Sequence, residues 1–188
     1  MSRCALKNRP SDPTIETIET FCIPLEFRTT LGENGADFVL HRACVHNPGH
    51  TNRLEGYIVL GDEQILENLF NSTVVATDGT FFIAPPPFVQ LTTFVYFFTN
   101  IHNIRKAFCG IHVLFTHKTS FIYSHFLNWL VMRYGINNIH WENIMMDNEQ
   151  AMIASLNDNL PQLNVRSCFF HFGQAIQRWI SHNGLQIF

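Results

Sequence analysis

The sequence predicts an α/β domain with a mixed sheet, in which a three-stranded antiparallel meander precedes parallel strands with helices on both faces. Three β-rich runs follow one another between residues 73 and 117 with short connections, which favours antiparallel neighbours. From residue 119 onward, patterns typical of helices and strands alternate, as in parallel sheets whose strands are joined by helices. The predicted order from residue 73 is therefore β-β-β-α-β-α-β-α.

The composition indicates a folded domain with a dense core. The chain has 188 residues, of which 46% are hydrophobic and 18 are Phe. The formal net charge is −3 without a long basic run, which counts against a stand-alone DNA-binding surface. The first twenty residues lack the apolar segment of a signal peptide, so we expect the five cysteines to be reduced and the protein intracellular. The run at 88–98 is too short to span a bilayer, and we expect no membrane association.

Three segments are predicted along the chain. Residues 1–20 are polar and read as a flexible lead-in, and residues 21–72 as a flank of short strands and one helix. Asp62 is a candidate N-cap for that helix. Its apolar side is predicted to comprise Ile65, Leu66, Leu69 and Phe70. Residues 73–188 form the main α/β domain.

The elements after the meander follow from spacing and capping. Apolar residues recur at helical spacing over 119–135, and Gly135 is a natural C-terminal cap. A strand at 139–146, a helix at about 148–158, a strand at 164–170 and a helix from about 171 complete the chain.

Two carboxylates lie at comparable places in this pattern. Asp78 follows the apolar start of the first strand of the meander, and Asp147 follows Ile144-Met145-Met146. If these strands are neighbours in one sheet, the two side chains can converge. Carboxylate oxygens suit Mg²⁺ or Mn²⁺, and a pair of such ions can support phosphodiester cleavage.

Each carboxylate also has a structural interpretation. Asp78-Gly79 is a hairpin-turn dipeptide, although the prolines at 85–87 already supply a turn nearby. Asp147 could be an N-cap that accepts hydrogen bonds from the first turn of the following helix. The pattern alone leaves these alternatives open.

Three blocks of the chain resemble Mutator-like (MULE) transposases. They are "TDGTFFIAPPPFVQL" (77–91), "IMMDNEQAMIASL" (144–156) and "CFFHFGQAIQRWI" (168–180). The resemblance covers roughly residues 24 to 182, including "IPLEFRTTLGENGADFVLH" and "ILENLFNS". It implies an RNase H-like fold with a DDE-type site, in which Asp78 and Asp147 match the first and second acids. Cys168 and His171 match the family's Cys-x-x-His element near the active site.

The resemblance also implies two Mg²⁺ or Mn²⁺ ions, transposon-end double-stranded DNA as partner and a nuclear location, and it allows a homo-oligomer. A third acid is expected on a later helix, but the 17 residues after His171 contain no Asp or Glu. After Asp147 only Glu149 and Asp158 remain, and neither resembles the third acid in position. The chain is therefore predicted to be the N-terminal part of the catalytic domain, truncated at its C-terminus and inactive alone.

Further candidates have ordinary structural explanations. Cys168 and His171 could be half a zinc site or a thiol and its base, and Cys44, His46 and His50 form a second possible metal cluster. The aromatic run Phe94, Tyr96, Phe97 and Phe98 could stack on bases, although core packing is the simpler explanation. Scattered cations that could contact phosphates are Arg105, Lys106, Lys118, Arg133, Arg166 and Arg178.

The leading prediction is metal-dependent DNA cleavage and strand transfer in the complete protein. The alternative is a non-catalytic, domesticated or decayed module derived from such a transposase and retained for DNA or protein interaction.

Overall fold

The computed structural model describes residues 13–23, 29, 35–51, 53–99 and 101–185. Most of the predicted lead-in, residues 1–12, lies outside them. The strands are β1 (Val39–Asn47), β2 (Arg53–Gly61), β3 (Val74–Thr80), β4 (Gln90–Thr99), β5 (Arg105–Phe115), β6 (Asn143–Met146) and β7 (Asn164–Ser167). The α-helices are α1 (Glu63–Phe70), α2 (Ser120–Tyr134), α3 (Gln150–Asn159) and α4 (Phe169–His182), and 3-10 helices span Ile15–Thr17 and Ile136–Asn138.

Seven strands in the described part of the chain form one mixed sheet with the order β1-β2-β5-β4-β3-β6-β7. Strands β3, β4 and β5 are an antiparallel meander, whereas β6 pairs parallel with β3 and β7 pairs parallel with β6. The chain order from β3 is β-β-β-α-β-α-β-α. The predicted α/β class and element order are therefore confirmed.

The N-terminal flank belongs to the same sheet. β2 pairs antiparallel with β5, and β1 pairs antiparallel with β2, so the boundary predicted at residue 73 does not separate two sheets. The end of the predicted lead-in is also packed, because Ile18 is fully buried directly after a 3-10 helix. These residues cover a face of the sheet.

Alternating side chains of β2 show how the core is divided. Tyr57 and Val59 join a large apolar cluster on one face, whereas Ile58 joins Ile18 and Phe88 in a small cluster on the other. Helices α1, α2 and α3 all contribute to the large cluster. The apolar sides of these three helices all pack on the same face of the sheet.

Helix ends follow the capping signals. The Asp62 side chain accepts a hydrogen bond from Gln64 N at 2.8 Å, and α2 begins after Thr119 and ends at Gly135, whose φ is 82°. Ile65 is an exception to the predicted apolar side of α1, since it is 38% exposed.

Several boundaries in the second half differ from the predictions. The strand expected at 139–146 is β6, which begins only at Asn143, although Ile139 and Trp141 are buried. The strand expected at 164–170 ends at Ser167, and the helix that follows begins at Phe169. Apolar content marked these segments as buried or structured but did not distinguish extended loop from strand.

Candidate active site

Asp78 and Asp147 come from neighbouring parallel strands. β3 pairs with β6 in a register that places Ala76 opposite Met145. Asp78 lies two residues beyond Ala76, and Asp147 lies two residues beyond Met145, so the two residues are at equivalent positions along the neighbouring strands. Both residues line one small cleft at this end of the sheet. The condition for their convergence is met, because β3 and β6 are parallel neighbours in one sheet.

The hairpin-turn interpretation of Asp78-Gly79 is wrong. Both residues lie inside β3, where Asp78 is opposite Thr93 of β4 and Gly79 is opposite Thr92. The reversal of the chain occurs afterwards, between Thr80 and Gln90, as the prolines in that segment predict.

The N-cap interpretation of Asp147 is also wrong. Helix α3 begins at Gln150 and its N-cap residue is Glu149, so Asp147 lies too far before the first turn to cap it. The Asp147 side chain instead accepts a hydrogen bond from Asn148 N at 2.6 Å. The carboxylate is exposed at the end of β6, and helix capping does not explain it.

The loop that carries Asp147 is fixed to β7. Ser167 Oγ donates to Asn148 Oδ1 at 2.6 Å, and Cys168 N donates to Met146 O at 2.7 Å. These bonds hold the residues on either side of Asp147 and so limit the positions that its carboxylate can take.

Glu149 is a residue of this site that the sequence analysis missed. It lines the same cleft as the two aspartates. Tyr123 donates its hydroxyl proton to Glu149 Oε1 at 2.6 Å, and Gln90 Nε2 approaches Glu149 Oε2 at 3.4 Å. Burial, together with this hydrogen bond, raises the pKa of Tyr123 far above its ordinary value, so the phenol remains a donor. The sequence analysis considered Glu149 only as a possible third acid. It did not assign Glu149 to the site because that acid is expected on a later helix.

Gln90 lies at the centre of the polar contacts beneath the cleft. Its Nε2 donates to Thr92 Oγ1 at 2.9 Å, and its Oε1 lies 3.1 Å from the Tyr123 hydroxyl. Tyr123 has one proton to donate, and its shorter contact is with Glu149. Gln90 itself is 1% exposed, so its orientation is set by these partners.

Replacement of Gly79 by alanine should displace Gln90. A Cβ at position 79 would lie 2.4 Å from Gln90 Nε2, which is too close for any real contact. We expect Gly79→Ala to lower the free energy of unfolding by about 1–3 kcal/mol, the usual cost of inserting atoms into packed space. Urea unfolding would measure this loss. Gly173→Ala is the control, because a Cβ there meets nothing within 4 Å, and equal losses in both variants would contradict the contact at Gly79.

His171 reaches the site from α4. Its Nε2 lies 3.6 Å from Asp78 Oδ1, a distance suited to an ion pair when the imidazole is protonated. Its Nδ1 is buried without a hydrogen-bond partner among the described residues. Cys168 is the N-cap residue of the same helix and is half-buried. Of the two residues in the Cys-x-x-His motif, His171 therefore lies close to Asp78. The role of Cys168 stays a prediction.

The structure adds no further ligands to the two possible zinc sites among the residues that it describes. Among the described residues, no three His, Cys, Asp or Glu side chains converge in the geometry of a metal site. Cys44 and His46 lie in β1, and burial raises the pKa of the Cys44 thiol, which opposes the thiolate that zinc requires. The two aspartates and Glu149 line a common cleft without forming such a group.

The aromatic run of β4 is divided between core and surface. Phe94 and Tyr96 are buried in the main cluster, whereas Phe98 is exposed. Phe97 is half-buried, with the Arg105 guanidinium 4.4 Å from its ring centre. Core packing therefore explains Phe94 and Tyr96, whereas the side chains of Phe97 and Phe98 remain at the surface.

The candidate cations include one with a clear structural role. Arg133 pairs with Glu63 at 2.5 Å and joins the ends of α2 and α1.

Among the described helices, none has the length and apolar character needed to cross a membrane. No protein-family model and no curated protein matches the chain.

Proposed function

We propose that the chain belongs to the catalytic domain of a Mutator-like DNA transposase with an RNase H-like fold. The observation that carries this proposal is the juxtaposition of Asp78 and Asp147 at the ends of adjacent parallel strands. The meander followed by parallel strands agrees with the fold that the three sequence blocks imply. The partner in this proposal is double-stranded DNA at transposon ends.

The residues of the cleft fit a divalent cation. The donors of Asp78 and Asp147 are carboxylate oxygens, which Mg²⁺ and Mn²⁺ prefer. Asp78 has a side chain that is 63% exposed, so a hydrated ion can reach it. Thr77 also lines this cleft, and its hydroxyl is buried without a hydrogen-bond partner within the described part of the chain. Bound cations would stabilise the negative charge that develops during phosphoryl transfer.

The protein's own side chains would have distinct tasks in this reaction. Asp78 and Asp147 would hold the cations, and His171 would orient Asp78 through its Nε2, which lies 3.6 Å from Asp78 Oδ1. In the hydrolytic step, a water oxygen bonds to phosphorus while the bond from phosphorus to the 3′ oxygen breaks. The proton of the water passes to solvent, and the departing 3′ oxygen is protonated to a hydroxyl. In the strand-transfer step, the oxygen of that hydroxyl bonds to a phosphorus of the target strand while the bond from that phosphorus to the target 3′ oxygen breaks. The proton of the attacking hydroxyl passes to solvent, and the departing target 3′ oxygen is protonated to a hydroxyl.

A second candidate is a non-catalytic module for protein or DNA interaction. The surface of α4 favours it, because Phe169 is 84% exposed and Trp179 is 61% exposed. None of the residues of α4 is buried against the described part of the chain. Such a module would not need a cation at Asp78 and Asp147, so metal binding distinguishes the two candidates.

Metal-dependent thermal stability tests the catalytic proposal. We expect the wild-type Tm to rise by about 3–6 °C at a Mn²⁺ concentration tenfold above the dissociation constant, since such binding stabilises the folded state by about 1.4 kcal/mol. Asp78→Asn and Asp147→Asn should lose this response. The metal-free Tm of Asp147→Asn should be at or above that of the wild type, because neutralisation relieves repulsion between neighbouring carboxylates.

Asp158→Asn is the matched control, since Asp158 lies near the far end of α3. It should respond to Mn²⁺ as the wild type does. An equal response in Asp78→Asn and in the wild type would exclude ligation by Asp78 and favour the non-catalytic module. Binding of labelled transposon-end DNA, measured with and without Mn²⁺, would then test the DNA partner separately.

A further inference from the structure

We propose that Phe82 and Ile83, the tip of the connection between β3 and β4, form an apolar wedge that inserts between DNA bases beside the phosphate that is cleaved. This inference rests on the proposed function, because it takes DNA as the partner and Asp78 as part of the reaction centre. It adds to that function a means of unstacking the DNA next to the reacting bond.

The tip presents two adjacent apolar side chains to solvent. Phe82 is fully exposed, and Ile83 is 64% exposed. Removal of apolar surface from water is favourable, so side chains of this size at one exposed turn are suited to an apolar ligand. The flat faces of stacked bases provide such a ligand.

The stem of the same connection is fixed to the sheet. Phe88 is buried in the small apolar cluster, and Ala84 packs against that cluster. Val89 N donates to Phe115 O at 2.8 Å and leads directly into β4. These contacts constrain where the tip lies relative to β3, and a preorganised group loses less conformational entropy when it binds.

The tip lies close to the candidate reaction centre along the chain. Phe82 follows Asp78 by four residues, and four residues span at most about 14 Å. Successive phosphates of one DNA strand are about 3.4 Å apart along the helix axis. The wedge can therefore reach a base step within about four base pairs of a phosphate held at Asp78.

Lys118 supplies a positive charge beside the tip. Its ammonium nitrogen lies 3.9 Å from the centre of the Phe81 ring, and both side chains are exposed. This charge is complementary to the phosphates of the DNA backbone. Proteins that kink DNA combine basic contacts with Phe or Ile side chains inserted between base steps. The combination of an apolar tip and an adjacent lysine therefore favours a DNA base step over an apolar protein surface.

The test uses a short duplex of fixed sequence with one central nick that carries a 3′ hydroxyl, the product of the proposed cleavage. Fluorescence anisotropy in Mg²⁺ measures affinity, and oxidation by permanganate detects thymines that have lost their stacking. Wild type should make thymines reactive within about four base pairs of the nick. Phe82→Ala should abolish this reactivity and weaken binding about five- to one-hundredfold, the usual effect of removing an aromatic side chain that stacks on a base. Phe82→Trp should retain both properties.

Ile101→Ala is the matched control, because Ile101 is almost fully exposed but lies beyond the opposite end of β4. This variant should bind and unstack the nicked duplex as the wild type does. Phe82→Ala should keep the wild-type Tm, since its side chain is exposed, so a loss of DNA binding would not reflect unfolding.

The outcomes separate the wedge from the proposed function. If Phe82→Ala binds and unstacks the nicked duplex as the wild type does, the wedge is overturned and the DNA partner stands. If Phe82→Ala weakens binding but leaves thymine reactivity unchanged, the tip contacts DNA without insertion and the wedge is also overturned. A DNA-free dimer that becomes monomeric in Phe82→Ala, measured by sedimentation equilibrium, would assign the tip to a second copy of the chain instead. If the wild type does not bind the duplex, both the wedge and the DNA partner are overturned.

Discussion

Replacement of Trp141 by alanine should lower the free energy of unfolding by about 3–5 kcal/mol, the usual cost of removing a large buried aromatic side chain. Trp141 is 2% exposed and stacks on Phe94, with ring centres 5.9 Å apart. Its Nε1 donates to Leu69 O at 2.8 Å and joins the end of α1 to the segment before β6. The substitution removes the packing and leaves a carbonyl at the end of α1 without this donor. Urea unfolding monitored by circular dichroism measures the loss.

Trp141→Phe separates the two contributions. Phenylalanine preserves most of the aromatic packing but cannot donate to Leu69 O, so we expect a smaller loss of about 1–3 kcal/mol. A loss below 1 kcal/mol for Trp141→Ala would contradict the packing described here. Because Trp141 lies two residues before β6, its loss should also loosen the strand that Asp147 follows. We therefore expect weaker Mn²⁺ binding in Trp141→Ala than in Trp141→Phe.

The parallel placement of β3 and β6 was expected from the resemblance together with the predicted order of the elements. Alternating and continuous apolar runs marked the strands, and helical spacing over 119–135 marked the connection that a parallel crossover requires. A connection of that length cannot be a tight hairpin. The expectation that Asp78 and Asp147 converge followed from this topology.

Helix and strand boundaries near the site were harder to predict. The apolar segment before β6 resembles a strand, yet Ile139 and Trp141 are buried without belonging to the sheet. Apolar character reports burial, whereas strand pairing depends on hydrogen-bond partners that only the tertiary structure supplies. We expected α3 to start at about 148, but Asp147, Asn148 and Glu149 precede the helix, and Asp147 and Glu149 line the cleft.

Polar contacts beneath the cleft could not have been predicted from spacing. Gln90 and Tyr123 are distant from Glu149 in sequence and meet it only because α2 packs against the sheet. Both residues occur within apolar patterns that predicted core positions, and both are indeed buried. Their polar atoms contact Glu149 from within the core and so support the candidate site.

A buried carboxylate outside the candidate site, that of Glu55, anchors the start of α2. The Glu55 side chain is fully buried in β2 and accepts hydrogen bonds from Asn47 Nδ2 at 2.8 Å and Arg53 Nη2 at 2.6 Å. Its other oxygen accepts from the hydroxyl of Thr119, the N-cap residue of α2. Burial alone would raise the pKa of Glu55, but these hydrogen bonds outweigh it, so the pKa lies below its ordinary value.

Glu55→Gln should therefore cost about 2–4 kcal/mol at pH 7, the range expected when one partner of a buried charged network is neutralised. Since the pKa of Glu55 is lowered on folding, its charge stabilises the protein above the unfolded-state pKa of about 4.3, and that contribution disappears as pH falls through the folded-state pKa. The difference between wild type and Glu55→Gln should thus shrink between pH 5 and pH 3 in urea titrations. Glu67→Gln, at an exposed position on α1, should show no such difference at either pH. If the difference in free energy of unfolding between wild type and Glu55→Gln stays constant with pH, the shape of the Glu55 side chain, and not its charge, holds β2 to the start of α2.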